Sequence, residues 1–111
     1  MEPRPIAVRF FRTEAGNEPV REWLKSLTKE DRKAIGEDIL LVQYRWPIGK
    51  PLVDHLGDRI WEIRSRLKNT IARTLFTIHE KQIILLHGFI KKTQRTLHNE
   101  LELAHKRKAQ L

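Results

Sequence analysis

The chain has 111 residues and a mass of 13.2 kDa, enough for one domain and too little for a large cofactor-binding fold plus a second module. Hydrophobic residues at 40% and charged residues at 32% supply a core and exclude a disordered chain; the absence of cysteine excludes disulfides, thiolate metal sites and cysteine nucleophiles. Lys and Arg outnumber Asp and Glu by 22 to 14, a net charge of +8, which points to a polyanionic partner or to a solvated basic surface kept for solubility.

Residues 6–11, aromatic and β-branched, run into Gly16-Asn17 and read as a strand followed by a turn. Asn17 can cap a short helix: Pro19 is tolerated in its first turn, and Val20, Trp23, Leu24 and Leu27 recur at helical spacing. Thr28, with Asp31 three residues on, forms a variant capping box for a second helix carrying Ile35, Ile39 and Val42 up to Tyr44, where Pro47 follows. Together they read as a helical hairpin. Pro47, Gly49 and Pro51 then mark a loop before the period changes to two.

In residues 60–67, Trp61, Ile63 and Leu67 take one face while Glu62, Arg64 and Arg66 take the other. Residues 71–79 and 82–90 read as two further strands joined at Glu80-Lys81, a tight hairpin without the favoured Asn-Gly chemistry. Thr96 can cap a terminal helix with a sparse stripe of Leu97, Leu101, Ala104 and Leu111, acidic early and basic late as the helix dipole prefers. The order β-α-α-β-β-β-α predicts a single α+β domain over residues 1–111. Its mainly antiparallel four-stranded sheet carries helices on one face and a wet, concave basic surface with Glu62, Arg64 and Arg73 on the other. The N-terminus lacks an apolar signal core and no long apolar run occurs, so a cytoplasmic location without membrane contact is expected.

The charge excess sits in the second half. Residues 1–55 carry 10 basic and 9 acidic side chains, residues 56–111 carry 12 and 5. Three strand motifs fall in this half: Ile60-Trp61-Glu62-Ile63-Arg64, then Ala72-Arg73-Thr74-Leu75-Phe76, then Leu86-His87-Gly88-Phe89-Ile90-Lys91-Lys92-Thr93. With Phe10-Phe11, Gly16, Pro19-Val20 and Trp23-Leu24 before them and a polar helix after, the chain resembles the phage-derived HigB-like branch of the RelE/HigB toxin superfamily. The resemblance implies a RelE-like fold and a ribosome-dependent mRNA endonuclease, the toxin of a type II toxin–antitoxin pair. Its partners would be mRNA in the ribosomal A site and a cognate antitoxin of helix-turn-helix type.

RNA cleavage through the neighbouring 2′-OH requires in-line positioning, charge stabilisation and proton transfer, with neither cofactor nor metal. Arg64 offers a planar fork for phosphate, and Glu62 can orient it or pair with Arg66; a plain surface ion pair is the alternative. Arg73 is either a solvent-facing edge residue or a phosphate contact. Lys91 or Lys92 could clamp the phosphate or carry a proton, and His87 is the histidine best placed as general base, unless it is simply packed. Glu62, Arg66 and Lys68 complete the expected RNA-binding set.

His98, Glu102 and His105 share a helix face at metal-ligand spacing but lack a fourth ligand. Trp23 and Trp61 fit core stripes, and Trp46 could stack on a base or close a helix end. The competing functional reading is a non-catalytic basic module that binds RNA or DNA to regulate translation or transcription.

Overall fold

A computed structural model describes residues 4–91 and 98–111. Along the chain run β1 (Val8–Phe10), α1 (Pro19–Ser26), α2 (Lys29–Arg45), β2 (Val53–Gly57), β3 (Ile60–Arg66), β4 (Ile71–His79), β5 (Gln82–Ile90) and α3 (His98–Lys108). The strands form one mixed sheet in the order β1-β5-β4-β3-β2. All neighbours are antiparallel except β1, which lies parallel to β5 with Val8 opposite Ile83. No helix among the described residues is long and apolar enough to cross a membrane.

The sheet has five strands where four were expected. The extra one, β2, pairs with β3 through Val53 opposite Ile63 and Asp54 opposite Glu62. Its five residues follow the Pro-Gly-Pro cluster that dominates the local sequence signal, so it reads as the tail of a loop. The β2–β3 connection is made by Asp58 and Arg59 at φ 49° and 59°, and Glu80 and Lys81 between β4 and β5 lie at 51° and 63°. Positive φ at both central residues is the type I′ pattern, whose twist matches the strands even without Asn-Gly.

Helices cover both faces of the sheet, not one. On the first face Val20 of α1 and Ile35, Ile39 and Val42 of α2 pack on Val53, Ile63, Ala72, Phe76, Ile83 and Leu85. On the second, Ala104 and Leu101 of α3 pack with Phe11 on Ile60, Leu75, Ile84 and Leu86. The continuous apolar run Ile83-Ile84-Leu85-Leu86 explains this: a central strand apolar on both sides needs a cover on both sides. A register shift in β5 beside Leu75–Phe76 puts both Leu86 and His87 toward the second face.

At the helix starts, Thr28 Oγ1 accepts the Asp31 N–H at 3.1 Å, as its sequence position predicts. The cap position of α1 belongs to Glu18 rather than Asn17 and makes no side-chain cap hydrogen bond, while the Asn17 N–H donates to Thr13 Oγ1 at 3.1 Å in the turn at Gly16. The expected cap of α3 at Thr96, its stripe residue Leu97 and Lys92 lie outside the described residues. Trp46 closes the first core, edge-on to Trp61 and Phe76 at 5.1 and 5.5 Å.

Two glycines give opposite tests of this packing. A Cβ on Gly88 would come within 2.2 Å of the Trp23 ring, whereas one on Gly36, in α2, would meet nothing within 4 Å. Gly88→Ala should therefore lose roughly 1–3 kcal/mol in urea unfolding. Gly36→Ala should gain about 0.5–1 kcal/mol from helix propensity and reduced unfolded-chain entropy.

Candidate functional site

The second sheet face is dry at one end and charged at the other. Glu62 on β3 stands opposite Leu75, and two residues further Arg64 stands opposite Arg73, which in turn faces Phe89 on β5. The Glu62 carboxylate bridges the two arginines: Oε1 lies 3.4 Å from Arg64 Nε, and Oε2 lies 3.5 Å from Arg73 Nη1. Its side chain is 2% exposed and that of Arg73 9%, while Arg64 is 37% exposed. The cluster thus has a buried base, Glu62–Arg73, and one open head, Arg64.

The expected wet surface is therefore only partly wet. Arg73 is neither at a sheet edge nor in solvent, because β4 is a central strand and the side chain lies against buried neighbours. Opposite charge permits this burial: the cost of desolvating one ion is offset by its attraction to another. Compensation is incomplete, since neither Glu62 Oε2 nor Arg73 Nε has a hydrogen-bond partner among the described residues. Burial pushes the Glu62 carboxyl up from the ordinary carboxylate range against the pull of Arg73, then Arg64; Asp54 pushes the same way, and Lys91 weakly opposes it.

Lys91 leaves β5 where its N–H donates to Ile71 O at 2.9 Å and its carbonyl accepts from Thr70 Oγ1 at 2.9 Å. This places it at the charged end of the face with Arg66, which is exposed at the end of β3 and stands opposite Ile71. Arg66 makes no ion pair with Glu62 among the described residues. Lys68 is exposed in the β3–β4 turn, beyond the cluster.

His87 is held elsewhere. It sits across Leu75 from Glu62, stacks on Phe89 at 5.6 Å, and is tied to α3. Its Nε2 contacts Glu100 Oε2, and Arg107 Nη1 approaches Nδ1 at 3.4 Å while donating to Leu86 O at 2.7 Å. Both nitrogens are engaged by the helix, so His87 latches α3 to the sheet and presents no free base toward Arg64. No group of three His, Asp or Glu residues among the described residues could hold a metal ion.

Three features were not anticipated from sequence. Asp54 faces Glu62 from a strand read as loop. The α3 latch joins residues distant in sequence, Glu100 and Arg107 with His87. A groove of about 680 Å³ opens beside Arg64, lined by Glu37 and Asp38 of α2 and by Leu52, Arg66 and Ile71. None of these has a local motif; only the Gly57-Asp58 pair, a turn signal, could have revealed β2.

The raised Glu62 pKa has a defined consequence for stability. The folded state binds this proton more tightly than the unfolded chain, so between the unfolded value, about 4.3, and the higher folded value the unfolded chain holds fewer protons. Stability contributed through this group therefore falls as pH rises through that window. Against Glu62→Gln, which cannot titrate, the wild-type chain should lose relative stability between the two values and stay level on either side. Denaturant unfolding across pH measures it, and a relative gain with rising pH would show that the arginines outweigh burial.

No curated protein matches the chain. Residues 22–109, from α1 to the end of α3, match the family described as phage derived protein Gp49-like (DUF891), and over most of its length the chain therefore belongs to that phage-derived family.

Proposed function

We propose that the chain is the toxin of a type II toxin–antitoxin pair related to the RelE/HigB superfamily, and that it cleaves mRNA in the ribosomal A site as a metal-independent endoribonuclease. The observation that carries this reading is the open Arg64 guanidinium, fixed from behind by a buried carboxylate and a second arginine. Membership of the Gp49-like family and the basic second half of the chain support it.

The substrate supplies the nucleophile. Its 2′-OH attacks the adjacent 3′-phosphate, the P–O5′ bond breaks, and the products are a 2′,3′-cyclic phosphate and a 5′-hydroxyl. The 2′-OH proton leaves to a base and the 5′-oxygen receives one. What the protein must provide is a fixed positive site for charge that grows on the phosphate oxygens. Arg64 is suited to this because Glu62 holds its Nε and leaves the outer Nη groups free. Arg73 contributes its charge from behind and keeps Glu62 in place, with Glu62 a positioning residue rather than an RNA contact. Arg66, Lys68 and Lys91 hold the backbone, and a lysine, Lys91 or Lys92, is favoured over the latched His87 for moving protons.

The antitoxin would be a small acidic or helix-turn-helix partner that covers the basic end of the sheet. Co-expression with the product of the neighbouring small gene should restore growth and give a complex that survives purification.

Arg64→Ala should lower cleavage of ribosome-bound mRNA by roughly 10²-fold or more with the fold intact, and Arg64→Lys should recover only part, keeping the charge without the fork. Arg73 needs a gentler change: removing it strands a buried carboxylate at a cost of about 3–5 kcal/mol, so Arg73→Lys is the informative variant. Cleavage ends should be 2′,3′-cyclic phosphates, and a 2′-deoxy nucleotide at the cut should block the reaction. Tight RNA binding without cleavage would establish the non-catalytic module instead.

A further inference from the structure

The groove beside Arg64 has walls of opposite sign. Arg64 and Arg66 line it from β3 and Glu37 and Asp38 from α2, and Leu52 and Ile71 add apolar surface. Its volume of about 680 Å³ lies in the range of small-molecule sites. Neither Glu37 nor Asp38 takes part in an ion pair or a side-chain hydrogen bond among the described residues. Arg64 pairs with Glu62 through Nε alone, so its outer nitrogens remain open to a ligand. Ala34, one helical turn before Asp38, leaves room at this wall.

A ligand that suits both walls is anionic at one end and rich in N–H donors at the other. We infer that the groove is a guanine-selective nucleotide subsite, with the phosphate on Arg64 and Arg66 and the base edge on Glu37 and Asp38. An ionised carboxylate only accepts hydrogen bonds. Guanine alone among the RNA bases presents two adjacent donor groups, N1–H and N2–H, on its Watson–Crick edge. Adenine and cytosine place an acceptor nitrogen beside their amino group, and uracil places its single N–H between two carbonyls, so each would set lone pairs against the carboxylates. Leu52 and Ile71 receive the base's apolar face, in keeping with recognition of RNA as unstacked single strands. Charge repulsion fixes the orientation, since a phosphate turned toward α2 would face two carboxylates.

This assignment rests on the RNA-cleaving reading of Arg64, and the test separates the two. The chain is titrated with GMP, AMP, CMP and UMP by calorimetry and by amide NMR. GMP should bind about tenfold or more tightly than the others, the discrimination typical of a bidentate base contact, with shifts at residues 34–38 and at Leu52. Glu37→Gln and Asp38→Asn, singly and together, should flatten that preference, while Glu30→Gln, an exposed acid at the start of α2, should preserve it. Arg64→Ala should weaken all four nucleotides alike. In mapped cleavage of ribosome-bound mRNA, guanine should be enriched at one position flanking the cut and lose its enrichment in the double variant.

Equal binding of the four nucleotides, or no binding of any, would overturn the subsite. So would a GMP preference that survives in the double variant. A preference for GMP that depends on Glu37 and Asp38, in a chain that cleaves no mRNA, would uphold the subsite and reject the nuclease.

Discussion

One buried carboxylate organises the charged half of this sheet. Glu62 lies on the border where the apolar row of Ile60, Leu75, Ile84 and Leu86 gives way to Arg64 and Arg73. Leu75 on the neighbouring strand desolvates it, and the two guanidinium groups compensate. Neither side can be removed alone. Without the arginines the carboxylate would be an uncompensated buried ion; without the carboxylate, Arg73 would be one. A charge placed this way costs stability and supplies position, which suits a residue that aims another residue rather than touching a ligand.

The rest of the architecture draws that border. Antiparallel pairing sets Arg64 directly across from Arg73, where two like charges would repel if no anion stood beside them. Helix α3 covers only the apolar end of the face, and the latch from Glu100 and Arg107 to His87 holds it there. Burial lowers the Arg107 pKa while Glu100 supports its charge, so the latch too is a partly desolvated pair. The covered end lends the site rigidity, and the uncovered end leaves Arg64 and Arg66 accessible.

Much of this was legible in the sequence because periodicity reports faces. The alternation of Trp61 and Ile63 against Glu62 and Arg64 fixed the orientation of β3, and the bounds 71–79 and 82–90 agree with β4 and β5. What alternation cannot report is what lies above a face. The sequence showed that Glu62, Arg64 and Arg73 share one side, yet their burial depends on strand register and on α3, both non-local. The same limit hid β2, five residues whose pairing with β3 is visible only once Asp54 stands opposite Glu62. His87 looked available because its motif is local, while its partners Glu100 and Arg107 lie 13 and 20 residues away.

Arg64 belongs to both the ion cluster and the groove, and this dual membership explains the choice of arginine there. A lysine ammonium is a single point: drawn to Glu62 it would turn from the groove, and drawn to the groove it would release Glu62. A guanidinium separates the two tasks along one rigid plane, with Nε toward the carboxylate and the outer nitrogens free of that contact. The buried partner therefore holds the fork in place, and an anion that met it would cost less conformational entropy to bind than one that met a free side chain. Burying Glu62 and Arg73 is then the condition for keeping one exposed arginine preorganised on an otherwise solvated surface.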